Sequence, residues 1–379
     1  MNRKTALTSL AALACAPAAA VSPASAAATD IPLERVKAIV RARERIVSPS
    51  GIDDLIAIPV NGERQWLSIR GQDKRNPVLL FLHGGPGSPT MPEAWTFQTP
   101  WEDFFTVVQW DQRGAGKTYA SNDSAQADAT ISAPQMERDA GEVVRYLLRR
   151  LAKQKIFVLG HSWGSYLGLH LAMTQPGLLH AYIGTGQIID MLDSEAEGYA
   201  FALDQARAHG NTQAVRELES IAPYPGTAGL TIDRIGTQRT WLSYYGGLAY
   251  GRTDFQWDAD AWRLSPLYTQ RDVAEIDRGG LASLHGLLPA LARANFENET
   301  TFACPIFLLM GRHDYTTSYE IAHAWYKRVQ APRKAFVTFE NSAHMVMQEE
   351  PGRYLQHLVT LARPIAVSAG DAAPAEKIE

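Results

Sequence analysis

A serine, an aspartate and a histidine follow three apolar runs, in that order along the chain. Ser162 comes after Ile156-Phe157-Val158-Leu159, Asp314 after Ile306-Phe307-Leu308-Leu309-Met310, and His344 after Ala335-Phe336-Val337-Thr338-Phe339. These residue types suit nucleophilic catalysis. A serine hydroxyl is a poor nucleophile at neutral pH and needs a base to take its proton during attack. Imidazole titrates near neutrality, so His344 fits that role. Asp314 then holds the ring in the right tautomer and stabilises the imidazolium. His83, His161 and His313 compete for the base, and Asp111 competes for the acid. His344 is preferred because it follows the last strand run in a loop.

The immediate surroundings of Ser162 strengthen the reading. Gly160-His161-Ser162-Trp163-Gly164 joins an apolar strand run to a helical pattern, Ser165 to Met173. A serine on such a sharp turn projects its hydroxyl above a sheet, and flanking side chains would collide with the strand or the helix. A second glycine-rich stretch, His83-Gly84-Gly85-Pro86-Gly87, follows the apolar run Val78 to Leu82. Its uncovered backbone amides can face a developing oxyanion, so the amides of Gly85 and Trp163 are the expected oxyanion donors. The Gly-x-Gly-Lys at Gly114 to Lys117 lacks the spacing of a phosphate loop. The His, Asp and Glu residues lack H-E-x-x-H or paired-Cys spacing, so the chemistry calls for no metal and no cofactor.

The elements that would carry these residues can be read in order. Asn2-Arg3-Lys4, the apolar stretch Ala6 to Ala14 and Ala24-Ser25-Ala26 form a signal-peptide pattern, cleaved near residue 26. The expected location is periplasmic or secreted. Cys15 follows a poor lipobox, Ala12-Leu13-Ala14, and removal of the leader leaves Cys304 as the one cysteine, so no internal disulfide is expected. Ile31 to Ile46 reads as a helix with an apolar side. Asn61-Gly62 marks a hairpin turn between two antiparallel strands. Ser132 is a candidate cap for the amphipathic helix Met136 to Leu151, whose Val143, Val144, Leu147, Leu148 and Leu151 form a stripe. Strands alternating with helices as far as Gly186 imply a mostly parallel sheet. From 187 to 300 strand-like runs vanish, and Trp241, Tyr244, Tyr245, Trp257 and Trp262 gather in a helical insertion. Strand runs resume at Pro305, and a closing helix is expected over Glu349 to Leu361. The expected division is a leader 1–26, a first core segment 27–186, a helical cap 187–300, a second core segment 301–365 and a disordered tail 366–379. The formal net charge of −4 gives no reason to expect nucleic acid, and no apolar run beyond the leader has the length of a membrane span.

Taken together, His83-Gly84-Gly85-Pro86-Gly87, Asp111-Gln112-Arg113-Gly114-Ala115-Gly116, Gly160-His161-Ser162-Trp163-Gly164, Gly311-Arg312-His313-Asp314 and the His344 loop resemble the α/β-hydrolase family that contains the proline iminopeptidases (prolyl aminopeptidases). The resemblance implies an α/β fold, a mostly parallel sheet flanked by helices, with an inserted helical cap over the site. Its Ser, Asp, His chain order favours Asp314 over Asp111. It implies acyl-enzyme chemistry on a small peptide or ester substrate, with release of an N-terminal residue, often proline, as the leading activity. An esterase or lactonase is the alternative, and a binding protein on a hydrolase fold is the non-enzyme alternative. Epoxide hydrolases and dehalogenases place Asp where Ser162 stands. Proline iminopeptidases share a cap motif W-x-x-W-E whose Glu binds the substrate's amine. Here Trp241-Leu242-Ser243-Tyr244-Tyr245 is the nearest match, with Tyr245 at the Glu position and Asn295 at a second carboxylate position. The resemblance thus makes Trp241, Tyr244, Tyr245 and Asn295 candidate substrate-binding residues. Asp190, Asp193, Glu195, Glu197 and Glu297 could replace the missing charge, but each reads first as a solvated surface carboxylate.

Overall fold

Apolar runs bounded by turn residues become the strands of one eight-stranded sheet. The structure, a computed structural model, describes residues 31–374, and the expected leader lies outside them. The elements run α1 (Leu33–Arg43), β1 (Ile52–Val60), β2 (Glu63–Gly71), β3 (Val78–Leu82), β4 (Thr106–Asp111), α2 (Gly116–Ser121), α3 (Ser124–Thr130), α4 (Ala133–Arg150), β5 (Ile156–His161), α5 (Trp163–Thr174) and β6 (Leu179–Thr185). The insertion follows as α6 (Met191–Ala208), α7 (Thr212–Ser220), α8 (Ile232–Tyr244), α9 (Gln256–Leu264), α10 (Gln270–Ala274) and α11 (Ile276–Leu291). Then come β7 (Ile306–Gly311), α12 (Tyr319–Arg328), β8 (Lys334–Phe339), α13 (Val346–Glu349), α14 (Pro351–His357) and α15 (Arg363–Ser368). The sheet order is β1-β2-β4-β3-β5-β6-β7-β8. β2 pairs antiparallel with β1 and β4, and the remaining neighbours are parallel. Asn61 and Gly62 both take positive φ, 42° and 87°, as a tight hairpin turn requires.

Successive residues of the central strands feed opposite cores. Leu80, Leu82, Ile156, Val158 and Tyr182 pack with Val143, Val144 and Leu147 of α4. Leu79, Phe81, Phe157, Leu159 and Ile183 pack with Trp101, Tyr354 and Leu358 on the other face. A strand buried on both faces needs apolar residues at every position, which is why β3 and β5 read as unbroken apolar runs. The carboxyl ends of β5, β7 and β8 therefore stand on a sheet packed from both sides.

The insertion is tied at its base. Asp190 and Asn295 form an antiparallel bridge, with Met191 N–H donating to the Ala294 carbonyl at 3.0 Å and Phe296 N–H to that of Ile189 at 2.7 Å. Above it, Ala202, Leu203, Ala206, Ala214, Leu218 and Trp241 form a core of the cap's own. The Asp111 to Lys117 turn docks cap to core: Tyr268 donates to Asp111, and Lys117 pairs with Asp272 at 2.7 Å. Arg113 in that turn pairs with Asp139 at 2.8 Å and Glu63 at 3.3 Å.

Three expectations are corrected. The apolar residues of the expected helix 31–46 do not form a buried side: Ile31, before α1, and Ile39, within it, are exposed, and Lys37 anchors the helix by donating to the Tyr268 carbonyl at 2.8 Å. Ser132 stands at the N-cap position of α4 without a side-chain capping bond. The expected disordered tail is packed as far as Asp371: α15 runs to Ser368, Ala366 is buried, and Asp371 joins His180 at 2.8 Å and pairs with Lys153.

Candidate active site

Ser162 sits between β5 and α5 with φ 55° and ψ −121°. A non-glycine residue rarely takes that conformation, and here packing enforces it. A Cβ on Gly160 would lie 2.4 Å from the Gly164 carbonyl oxygen, and one on Gly164 would lie 1.9 Å from that of Leu82. Both glycines are thus required by backbone crossing backbone. Trp163 is the first residue of α5, so its N–H has no acceptor within the helix. A Cβ on Gly84 would fall 3.0 Å from the Ser162 Cβ, so the glycine-rich loop passes directly against the serine. Gly85, at φ 107°, has no room for a side chain beside Ser88. The glycine-rich loop, through Gly84, and the start of α5, through Trp163, therefore both border Ser162.

His344 Nδ1 lies 2.8 Å from Asp314 Oδ2. The carboxylate is fixed by three further donors: the N–H groups of Thr316 and Thr317, each at 2.9 Å to Oδ1, and the Thr317 hydroxyl at 3.1 Å to Oδ2. These bonds orient the acid as a rigid acceptor for the imidazole. Gly186, just after β6, leaves the space the ring occupies, since its Cβ would lie 2.5 Å from His344 Cε1. All three side chains are buried. Asp314 thus holds the His344 ring, and Ser162, whose N–H donates to the Thr185 carbonyl at 3.0 Å, is tied to the residue before Gly186, which borders that ring.

The rival residues are engaged otherwise. His161 lies under His344, ring centroids 4.7 Å apart, with its Nε2 3.0 Å from the His344 carbonyl. Burial and the neighbouring imidazole push its pKa down to about 3, so it stays neutral. His83 accepts the Gln112 N–H at Nε2, and burial pushes it down to about 4. His313 stacks on Tyr250 at 4.2 Å. Asp111, pushed up to about 7 by burial, holds Tyr268 and the Lys117 N–H rather than a histidine.

The four cap candidates do not converge on the triad. Trp241 and Tyr245 pack with the cap's own core, Trp241 Nε1 donates to Glu217 at 2.9 Å, and Tyr245 stacks on His209. Tyr244 is exposed against those two rings. Asn295 is exposed at the base of the cap, donating to Asp190 at 2.5 Å. The aromatics close a small helical core, and the asparagine closes the insertion. Among the carboxylates, Asp190 caps α6, Asp193 and Glu297 are exposed, and Glu197 accepts from Ser318. Glu195 is not a surface residue: it is buried against Arg239 at 2.5 Å and the Tyr224 hydroxyl at 2.6 Å.

Residues missed in the sequence include Thr316, Thr317 and Gly186. Their signal was faint, a Thr-Thr pair after Asp314 and a glycine ending an apolar strand. The structure also brings two buried carboxylates, Glu93 and Asp258, to the junction of core and cap. Burial raises both, and their mutual repulsion adds to it for Glu93. Trp262 and Gln348 donate to Glu93 at 3.2 and 3.1 Å, and Arg252 approaches Asp258 at 3.6 Å. Among the described residues, no group of three or more His, Cys, Asp or Glu is placed to hold a metal ion, and no helix is long and apolar enough to cross a membrane.

The alpha/beta hydrolase family model matches residues 79–357. A probable aminopeptidase of Bacillus subtilis, YbaC, is 30% identical over 309 residues, spanning 81% of this chain and 95% of that protein. A proline iminopeptidase of Neisseria gonorrhoeae is 37% identical over 101 residues, 26% of this chain and 28% of that protein. The crystal structure of a proline iminopeptidase-related protein from Thermus thermophilus superposes with TM-score 0.58 at 18% identity, over 83% of this chain and 99% of that one.

Proposed function

We propose that this chain, which belongs to the alpha/beta hydrolase family and is a hydrolase, attacks its substrate through Ser162, with His344 as general base and Asp314 as the group that orients it. The observation that carries the reading is the pairing of Ser162 at φ 55° above α5 with the 2.8 Å bond between His344 and Asp314. Attack on a carbonyl forms a tetrahedral oxyanion, received by the amides of Gly85 and Trp163. His344 then protonates the leaving group, and water releases the acyl group by the reverse sequence.

The substrate we propose is a small peptide from which an N-terminal residue is released. The aminopeptidase name of the Bacillus relative, matched over 95% of its length, supports that class. One observation favours a second reading, a small carboxylic ester. Tyr245 stands where the proline iminopeptidase motif has its amine-binding Glu, and its ring is occupied inside the cap. A panel of prolyl and alanyl arylamides beside matched short-chain esters separates the two. The peptidase reading expects higher kcat/KM on the arylamides, and a reversal in favour of the esters would replace it. We further propose export, with a mature chain beginning near residue 27, from the leader pattern alone. N-terminal sequencing of protein from the host's periplasm or medium tests it; an intact Met1 chain in the cytoplasm would refute it.

A further inference from the structure

The cap reaches the acid and the base through one stretch of its backbone. Between α8 and α9 the chain leaves the cap's own core and lies across the loops after β7 and β8. Tyr315 N–H, next to Asp314, donates to the Gly247 carbonyl at 3.1 Å. His344 N–H itself donates to the Leu248 carbonyl at 3.0 Å. Leu248 and Ala249 are 7% and 5% exposed, so this strap is seated rather than loosely draped. The Tyr250 ring then stacks on His313 with an interplanar angle of 13°.

A single carboxylate closes the arrangement. Glu349, at the end of α13, accepts the Tyr250 N–H with one oxygen and the Ala343 N–H with the other, the latter at 2.9 Å. One oxygen is given to the cap and the other to the residue before His344. Its neighbour Glu350 accepts from the Ser342 hydroxyl at 2.9 Å and the Asn341 N–H at 3.3 Å, and so holds the same loop without reaching the strap. Glu349 is sequestered enough that burial pushes it up to about 7, against the two N–H donors and Arg252, with Asp314 opposing them. A half-buried acid facing another acid is costly unless its bonds are needed.

We propose that Glu349 is a positioning residue: it fastens the cap strap 247–250 to the loop bearing His344, so that a seated cap fixes the imidazole over Ser162. The proposal rests on the reading of His344 as the base. Misplacement of a reacting group by about 1 Å costs on the order of a hundredfold, so a loop held from one side would slow proton transfer without altering the substrate pocket.

The test uses the full mature enzyme and two probes small enough to need no cap contacts, p-nitrophenyl acetate and a fluorophosphonate. Glu349→Ala is expected to lower kcat on the ester about tenfold to a hundredfold with KM nearly unchanged. Labelling of Ser162 by the fluorophosphonate should slow in parallel, because it draws on the same base. Glu349→Gln keeps the volume and one acceptor oxygen, and should fall between wild type and Ala. If the Ala variant does not fold by circular dichroism, the Gln variant decides alone. Wild-type labelling and kcat in a folded variant, or a loss confined to KM, would overturn the proposal. Failure of the unmodified enzyme to label at Ser162 would instead remove the base reading, and the proposal with it.

Discussion

At the ends of β5 and β7 the backbone leaves no room for a side chain at three glycines, whereas in the cap many residues would serve. Gly160, Gly164 and Gly311 each face a carbonyl oxygen too close for any Cβ, at 2.4, 1.9 and 1.9 Å. The cap's Trp241, Tyr244 and Tyr245 meet one another through ring contacts, with one Trp241 bond to Glu217 and one stack of Tyr245 on His209, and most of that bulk is of a kind other large side chains can supply. The site is specified by geometry and the cap's own core by bulk. Chemistry should therefore be brittle to substitution at the site, and substrate choice pliable in the cap.

The largest expected effect breaks the site. Ser162→Ala should lose about four or more orders of magnitude in turnover, measured on the best substrate of the arylamide and ester panel. Asp314→Asn should cost about two to four orders, because an amide cannot hold the imidazole in the same tautomer. Circular dichroism and the melting temperature should stay near wild type in that variant. Activity near wild type would move the acid elsewhere, Asp111 being the next carboxylate to replace.

In the cap the expected effects are smaller. N-acetylation of a prolyl arylamide should reduce kcat/KM by less than about tenfold, since no carboxylate at position 245 supplies a charge-assisted hydrogen bond to the free amine. A dead acetylated substrate beside a well-cleaved free one would show that another carboxylate receives the amine. Buried Asp258 would then be the first to replace. The smallest effect concerns the junction. Glu93 is raised by burial, so the native state keeps a proton that the unfolded chain releases. Its contribution is full below the ordinary carboxylate range and is lost as pH climbs from about 5 to 8. Gln at that position stays neutral, and Gln348 can turn its unpartnered Oε1 toward the new amide. Between those pH values, wild type should lose about 2 °C or more of melting temperature relative to Glu93→Gln. Identical pH slopes would show that Glu93 does not titrate there.

The same contrast explains what was legible in the sequence. β3, β5 and β7 were plain because strands buried on both faces must be apolar throughout. Ser162 and Asp314 stood out because each follows such a strand, and His344 because it follows β8, whose run is largely apolar although the strand is only half-buried at the sheet edge. The helices between β6 and β7 were legible as a loss of strand runs, but the places of their side chains were not. Helical aromatics look alike whether they line a pocket or close a core, and Trp241 and Tyr245 close a core. Glu195 read as a surface acid because its partners, Arg239 and Tyr224, are distant in sequence. The strap and Glu349 were invisible for a related reason: their bonds are to backbone amides, which every sequence carries.

Covalent labelling tests most directly whether Ser162 is the nucleophile. The mature enzyme, treated with a fluorophosphonate and examined by intact-mass and peptide mass spectrometry, should carry one adduct, on Ser162. Ser162→Ala treated identically should carry none. An adduct on another residue of the wild type, or equal labelling of the alanine variant, would contradict the account.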